Sequence, residues 1–204
     1  MGFLSASASF TRYRIIEEVP DQILRDAPDL LTRGGFKEIE NSAEAQGFGW
    51  VAFNELLDSE WRTAPPEKGA YLAFGLRLDT RRVSPAVFKK HFAIALAEAE
   101  REAKDAGRKF LSRERKKELR EQVNLKLMAR TLPIPALFDV VWNLDTHTVY
   151  FASTQNKMCE LFQNLFTATF DLHLEPLTPY YLALSTLGQE AQSDLDEVEA
   201  TVFV

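Results

Sequence analysis

Residues 84–130 read SPAVFKKHFAIALAEAEREAKDAGRKFLSRERKKELREQVNLKLMAR. Ser84-Pro85 marks a helix start, because Ser can cap free backbone N–H groups and Pro is pre-set for the first helical position. Phe88, Phe92, Ala95, Leu96, Ala99 and Ala103 then recur at three- and four-residue spacing until Gly107 breaks the run. Leu111, Leu119, Val123 and Leu127 give a second stripe. Narrow apolar stripes on two successive helices are what a two-helix seam requires, so the stretch predicts an antiparallel hairpin packed along its own length. Helices of roughly 20 residues would be about 30 Å long, enough to project from a body as an arm.

The flanks read differently. Ser9–Glu18 alternates apolar and polar residues up to Pro20 and suits a strand, and Asp21–Thr32 a short helix stopped by Gly34-Gly35. Gly47–Phe53 and Ala70–Leu78 read as strands around a Pro65-Pro66 and Lys68-Gly69 loop. After the hairpin, Pro133 and Pro135 stop the helix, Ala136–Leu144 and Thr148–Ser153 read as strands about a turn at Asp145-Thr146-His147, and Thr154–Phe170 as a helix burying Met158, Leu161, Phe162, Leu165 and Phe166. Leu172–Leu184 is expected to return to extended structure, and Gln189–Glu199 to fray as an acidic tail. The fold class is therefore α+β, with mixed, largely antiparallel sheets, packed helices and a protruding helical hairpin. The expected divisions are 1–83 and 133–186 as two halves of the body, 84–132 as the arm, and 187–204 as the tail.

Charge sorts along the same boundaries. Of the chain's 24 Lys and Arg, thirteen lie between Ser84 and Arg130 against seven acids, a net of +6 inside a chain whose total is −6. From Met158 to Val204 there are eight Asp or Glu and no Lys or Arg. Such sorting suits one surface meant for a polyanion and another that repels it; the blander reading is a solvated helix face. With 46% apolar residues the 204-residue chain can bury a sizeable core. No apolar run approaches the roughly 20 residues of a membrane helix. Met1–Ala6 lacks the basic and apolar regions of a leader, so a cytoplasmic location is expected. Cys159, the single cysteine, reads as a half-buried helix position.

Three function classes fit these residues. Lys89, Lys90, Arg108, Lys109, Arg113, Arg115, Lys116 and Lys117, with Arg77, Arg81 and Arg82 leading in, could meet DNA phosphates and release counterions, although interleaved glutamates would pair with some of them. Phe110 is the one aromatic expected to be exposed on the arm, which favours duplex backbone over stacked single strands. A metal-dependent nuclease would use Asp29 with Glu114 and Lys116, but that pattern wants its Glu-x-Lys on a core strand rather than a charged helix. A dimerising interaction module without nucleic acid would suit the apolar Leu132–Phe138, which otherwise reads as the chain's return into the sheet. No cofactor is expected: Gly34-Gly35 lacks the Lys-Ser/Thr of a phosphate loop, and His91, His147 and His173 lack partners at zinc-ligand spacing.

One known family shares the order of these elements. Thr11-Arg12-Tyr13-Arg14-Ile15, Gly49-Trp50-Val51, the strand ending in Arg77 before Ser84-Pro85, the charged hairpin closing in Leu127-Met128-Ala129-Arg130, Val141-Trp142-Asn143-Leu144-Asp145 and Leu174-Glu175-Pro176-Leu177 together resemble the RdgC family of recombination-associated DNA-binding proteins across Phe10–Thr178. The resemblance implies a non-catalytic, nucleoid-associated protein that binds double-stranded DNA without strong sequence preference, closes as a ring-like homodimer around it and restrains RecA-driven recombination. It also implies a dimer contact at Arg130 and Leu132. There the family tends to place an aromatic residue where this chain has Leu132, and the family's further C-terminal base domain lies beyond the match.

Overall fold

The computed structural model describes residues 2–40, 42, 44–107 and 110–199. Strands are β1 (Thr11–Ile15), β2 (Gln46–Ala52), β3 (Glu67–Lys68), β4 (Tyr71–Thr80), β5 (Ile134–Asn143), β6 (Thr148–Phe151) and β7 (Leu174–Pro176). Helices are α1 (Asp21–Arg33), α2 (Pro85–Asp105), α3 (Arg113–Met128), α4 (Asn156–Phe170), α5 (Pro179–Leu187) and α6 (Gln192–Asp196). The fold is mixed α+β, and the seven strands form one antiparallel sheet in the order β2-β4-β5-β6-β1-β7, with β3 added on β4. Register places Tyr13 opposite both Val149 and Pro176, and Trp142 opposite Val149.

The chain divides into two compact units. One holds the residues up to Gly35, Trp50–Leu76 and those from Phe138 on; the other holds Phe36–Gly49 and Arg77–Leu137. In the first, α4 places Met158, Phe162, Phe166 and Phe170 at four-residue spacing on one buried face. Phe162 stacks on Phe151 with ring centroids 4.3 Å apart, Trp142 meets Phe170 edge-on at 5.4 Å, and Trp50 meets Phe74 at 5.1 Å. Each such ring contributes about 1.5–3 kcal/mol by leaving water. The Trp50 indole N–H donates to Thr169 Oγ1 at 2.8 Å, which satisfies its one polar atom. Gly34 lies flat against this tryptophan; a Cβ there would come within 2.8 Å of Trp50 Cδ1.

In the second unit α2 and α3 form the expected antiparallel hairpin. Arg120 of α3 places its guanidinium 5.5 Å from the ring centroid of Phe88, near the start of α2, and the Met128 carbonyl at the end of α3 accepts from Arg81, which precedes α2. Leu119, Val123 and Leu127 are buried, whereas α2 buries only Ala99 and leaves Phe88, Phe92 and Leu96 half-buried. The seam is thus open on the α2 side, although α3 runs alongside both phenylalanines. Ser112 caps α3, its Oγ accepting from Arg115 N at 3.1 Å. Ser84 makes no such side-chain bond; α2 starts on Pro85, and the Ser84 carbonyl accepts from Phe88 N at 2.9 Å.

Two expectations at the C-terminal side are corrected. Extended structure after Leu172 lasts only through β7, because Thr178 caps a new helix by accepting from Tyr181 N and Pro179 takes its first position. Gln189–Glu199 is not simply frayed: a 3-10 turn at Gln189–Ala191 leads into α6, and Tyr180 donates to Asp196 Oδ1 at 2.7 Å.

Candidate nucleic-acid interface

At 3.6 residues per turn, Arg113, Lys116, Lys117 and Arg120 fall within an arc of about 100°, and the buried Leu119, Val123 and Leu127 form an adjoining stripe that drifts into that arc at Leu127, beyond the last of the four cations. All four cations are exposed. Together with Phe92 of α2 and Glu114 they line a cleft of about 550 Å³. The Phe92 ring lies parallel to Phe88, with planes 8° apart and centroids 5.9 Å apart. Along the helix axis Arg113 and Lys117 are about 6 Å apart, and Lys116 and Arg120 likewise, inside one Debye length of about 8 Å at physiological salt, so the fields of neighbouring cations add.

The placement runs against helix stability. Arg113, Arg115 and Lys116 occupy the first turn of α3, where the partial positive charge of free N–H groups favours acids and penalises cations by a few tenths of a kcal/mol each, up to about 1. Glu114 is the one acid in that turn. The same arrangement that weakens the helix end raises the positive potential available to an anion. A larger cleft of about 630 Å³ lies toward the turn between the helices, lined by Ala99, Ala103, Phe110, Glu102, Glu114 and Glu118 among others. Its carboxylates would repel phosphate, so the Phe92 cleft is the better anion site.

The other expected residues divide. Lys89 and Lys90 are exposed on α2 and Arg82 is exposed before it. Arg115 is partly engaged, its Nη1 lying 3.0 Å from Glu118 Oε2 one turn on. Arg108 and Lys109 lie outside the described residues. Arg130 is exposed, and Leu132 and Ile134 stand 74% and 57% exposed where the chain leaves the hairpin for β5.

Arg77 and Arg81 are not phosphate ligands on this surface, and the expectation for both is corrected. Arg77 is 5% exposed; its Nε and Nη2 donate to the two Asp79 carboxylate oxygens at 2.8 and 2.7 Å, and Nη1 to Glu38 Oε1 at 2.7 Å. Its plane lies 3.9 Å from the Phe36 ring centroid, and the Asp79 hydrogen bonds hold the guanidinium above its ordinary pKa despite burial. Arg81, also 5% exposed, donates to the Met128, Ile39 and Glu40 carbonyls. Burial of an arginine needs such partners, and these hold the hairpin's ends to the Phe36–Glu40 segment.

Phe92 and Arg120 are site residues that the sequence reading leaves out. Their signal is present in the sequence: Arg120 continues the 113-116-117 face at helical spacing, and Phe92 belongs to the apolar stripe of α2. The nuclease residues sit on helices, Asp29 on α1 and Glu114 with Lys116 on α3, instead of on a strand. Among the described residues, no three His, Cys, Asp or Glu side chains gather as a metal site, and no helix is long and apolar enough to cross a membrane. Cys159 is half-buried, its Sγ 3.5 Å from Thr11 Oγ1. His91 is exposed, and His173 Nδ1 lies 2.5 Å from Glu17 Oε1.

Compared with known proteins, the chain matches no family model and no curated protein.

Proposed function

We propose that the protein binds double-stranded DNA through its backbone, without sequence preference, and thereby limits the access of a recombinase to that DNA. The observation that carries the binding is the exposed Arg113, Lys116, Lys117 and Arg120 face of α3, whose first two cations sit in the first helical turn, where stability alone would disfavour them. Such a face supplies charge without base-reading geometry, so affinity comes from counterion release. The recombination role rests on the resemblance of the element order to the RdgC family. So does the homodimer, to which the exposed Arg130, Leu132 and Ile134 add a surface that the hairpin itself leaves uncovered.

The test is binding to two short duplexes of unrelated sequence across a salt series. The reading expects equal affinities and a logarithmic affinity falling linearly with log salt, by about 0.9 per phosphate neutralised. Absence of binding at low salt would overturn it. Pre-bound protein should then slow recombinase loading on the same duplex in proportion to occupancy.

A further inference from the structure

Phe92 sits among the cations, and that position has consequences for the kind of strand the face accepts. A closed two-helix seam would bury its largest residues, yet Phe88 and Phe92 are half-buried while the smaller Leu119, Val123 and Leu127 are buried. Arg120 occupies the neighbourhood of Phe88, 5.5 Å from its centroid, and Phe92 lines the cleft together with Arg113, Lys116, Lys117 and Arg120. At about 550 Å³ the cleft falls within the range of roughly 300–1,000 Å³ that small organic ligands fill. An aromatic ring edged by several cations combines the two elements of single-strand recognition, a stacking surface and a backbone-tracking charge. Glu114, the lone carboxylate in the lining, disfavours a bare multiply charged anion there more than a base carrying one phosphate on each side.

We propose that the Phe92 cleft takes one unstacked nucleotide of a nucleic-acid strand, its base on the Phe92 ring and its flanking phosphates on Arg113, Lys116, Lys117 and Arg120. This rests on the reading of α3 as a nucleic-acid surface and deepens it: the protein engages single strands, gaps and frayed ends with a contact that an intact duplex cannot make, since duplex bases remain stacked on one another.

The experiment compares the full chain with Phe92→Leu and Phe92→Tyr, using three probes of equal length: a single strand, its duplex, and a strand of the same charge carrying an abasic stretch. Stacking of one base on one ring is worth a factor of about 5 to 150 in affinity. Phe92→Leu is expected to weaken single-strand binding by that factor, leave duplex and abasic affinities within twofold, and keep every salt slope. Phe92→Tyr, which retains a ring, should bind the single strand like the native chain; should the leucine variant fold poorly, the native chain itself decides, since it is expected to prefer the single strand to the abasic strand of equal charge by the same factor, and equal affinities would overturn the proposal. Equal effects of Phe92→Leu on all three probes, or none on the single strand, would overturn the proposal while leaving the backbone reading intact. Failure of the native chain to bind any probe at low salt would instead sink that underlying reading.

Discussion

α3 and α4 are nearly equal in length, 16 and 15 residues, and their side chains answer to different demands. Every fourth residue of α4 from Met158 to Phe170 is buried, the three phenylalanines against other rings, and its sequence is what packing requires. α3 buries three aliphatic residues and uses the rest of its surface for charge, including cations at the end where the helix dipole opposes them. It is this contrast, rather than net charge, that supports the proposed polyanion partner, since the helix gives up stability for charge that the fold does not use.

The contrast can be broken first at α4. Phe162→Ala, which opens a cavity among Tyr13, Trp50, Phe151 and Phe166, should cost about 3–5 kcal/mol in denaturant unfolding. A loss below about 1 kcal/mol would mean that the aromatic cluster is far looser than described. Next in size is Arg77→Met, which strands the buried Asp79, 2% exposed; a loss of about 3 kcal/mol is expected, at the lower end for a broken buried pair because Glu38 remains reachable by water. If Arg77→Met instead weakened DNA binding with stability unchanged, its assignment as an internal tie would be wrong. Asp58 gives a smaller, pH-dependent effect. Burial pushes its carboxyl up, but hydrogen bonds from Thr63, Arg62 and Glu60 outweigh this and bring it down to about 2. Because the folded value lies below the unfolded value of about 3.9, its contribution is fully present above pH ~4 and is lost as pH falls toward 2. Asp58→Asn should flatten that part of the stability profile relative to the native chain. The smallest effect belongs to Arg115→Gln, which breaks only the exposed pair with Glu118 and should change stability by less than about 0.5 kcal/mol.

Much of the architecture is legible in the residues. Pro85, Gly107 and the two apolar stripes locate α2 and α3 because helix starts, breaks and periodicity are local signals. α5 reads as extended because Tyr180, Tyr181, Leu182 and Leu184 look like strand residues, and the cap at Thr178 is a subtler cue than hydrophobic content. The site is legible only in part. Charge counting cannot distinguish Arg77 and Arg81 from Lys116 and Lys117, which have open solvent before them: Asp79 lies only two residues from Arg77, but Glu38 and Ile39, which complete the two arginines' ties, lie about forty residues away in sequence. Nor can the half-buried state of Phe92 be read locally, since it depends on which α3 residues face it, and these are cations rather than apolar side chains.

The most direct measurement is the salt dependence of duplex affinity for a chain carrying Arg113→Gln, Lys116→Gln, Lys117→Gln and Arg120→Gln together, beside the native chain, with unfolding midpoints for both. The slope of log affinity against log salt is expected to shrink by about 3–4, near 0.9 for each phosphate no longer neutralised, while the folded state stays as stable or gains slightly as the helix N-terminus sheds its cations. An unchanged slope in a folded variant would contradict it and move the interface off α3.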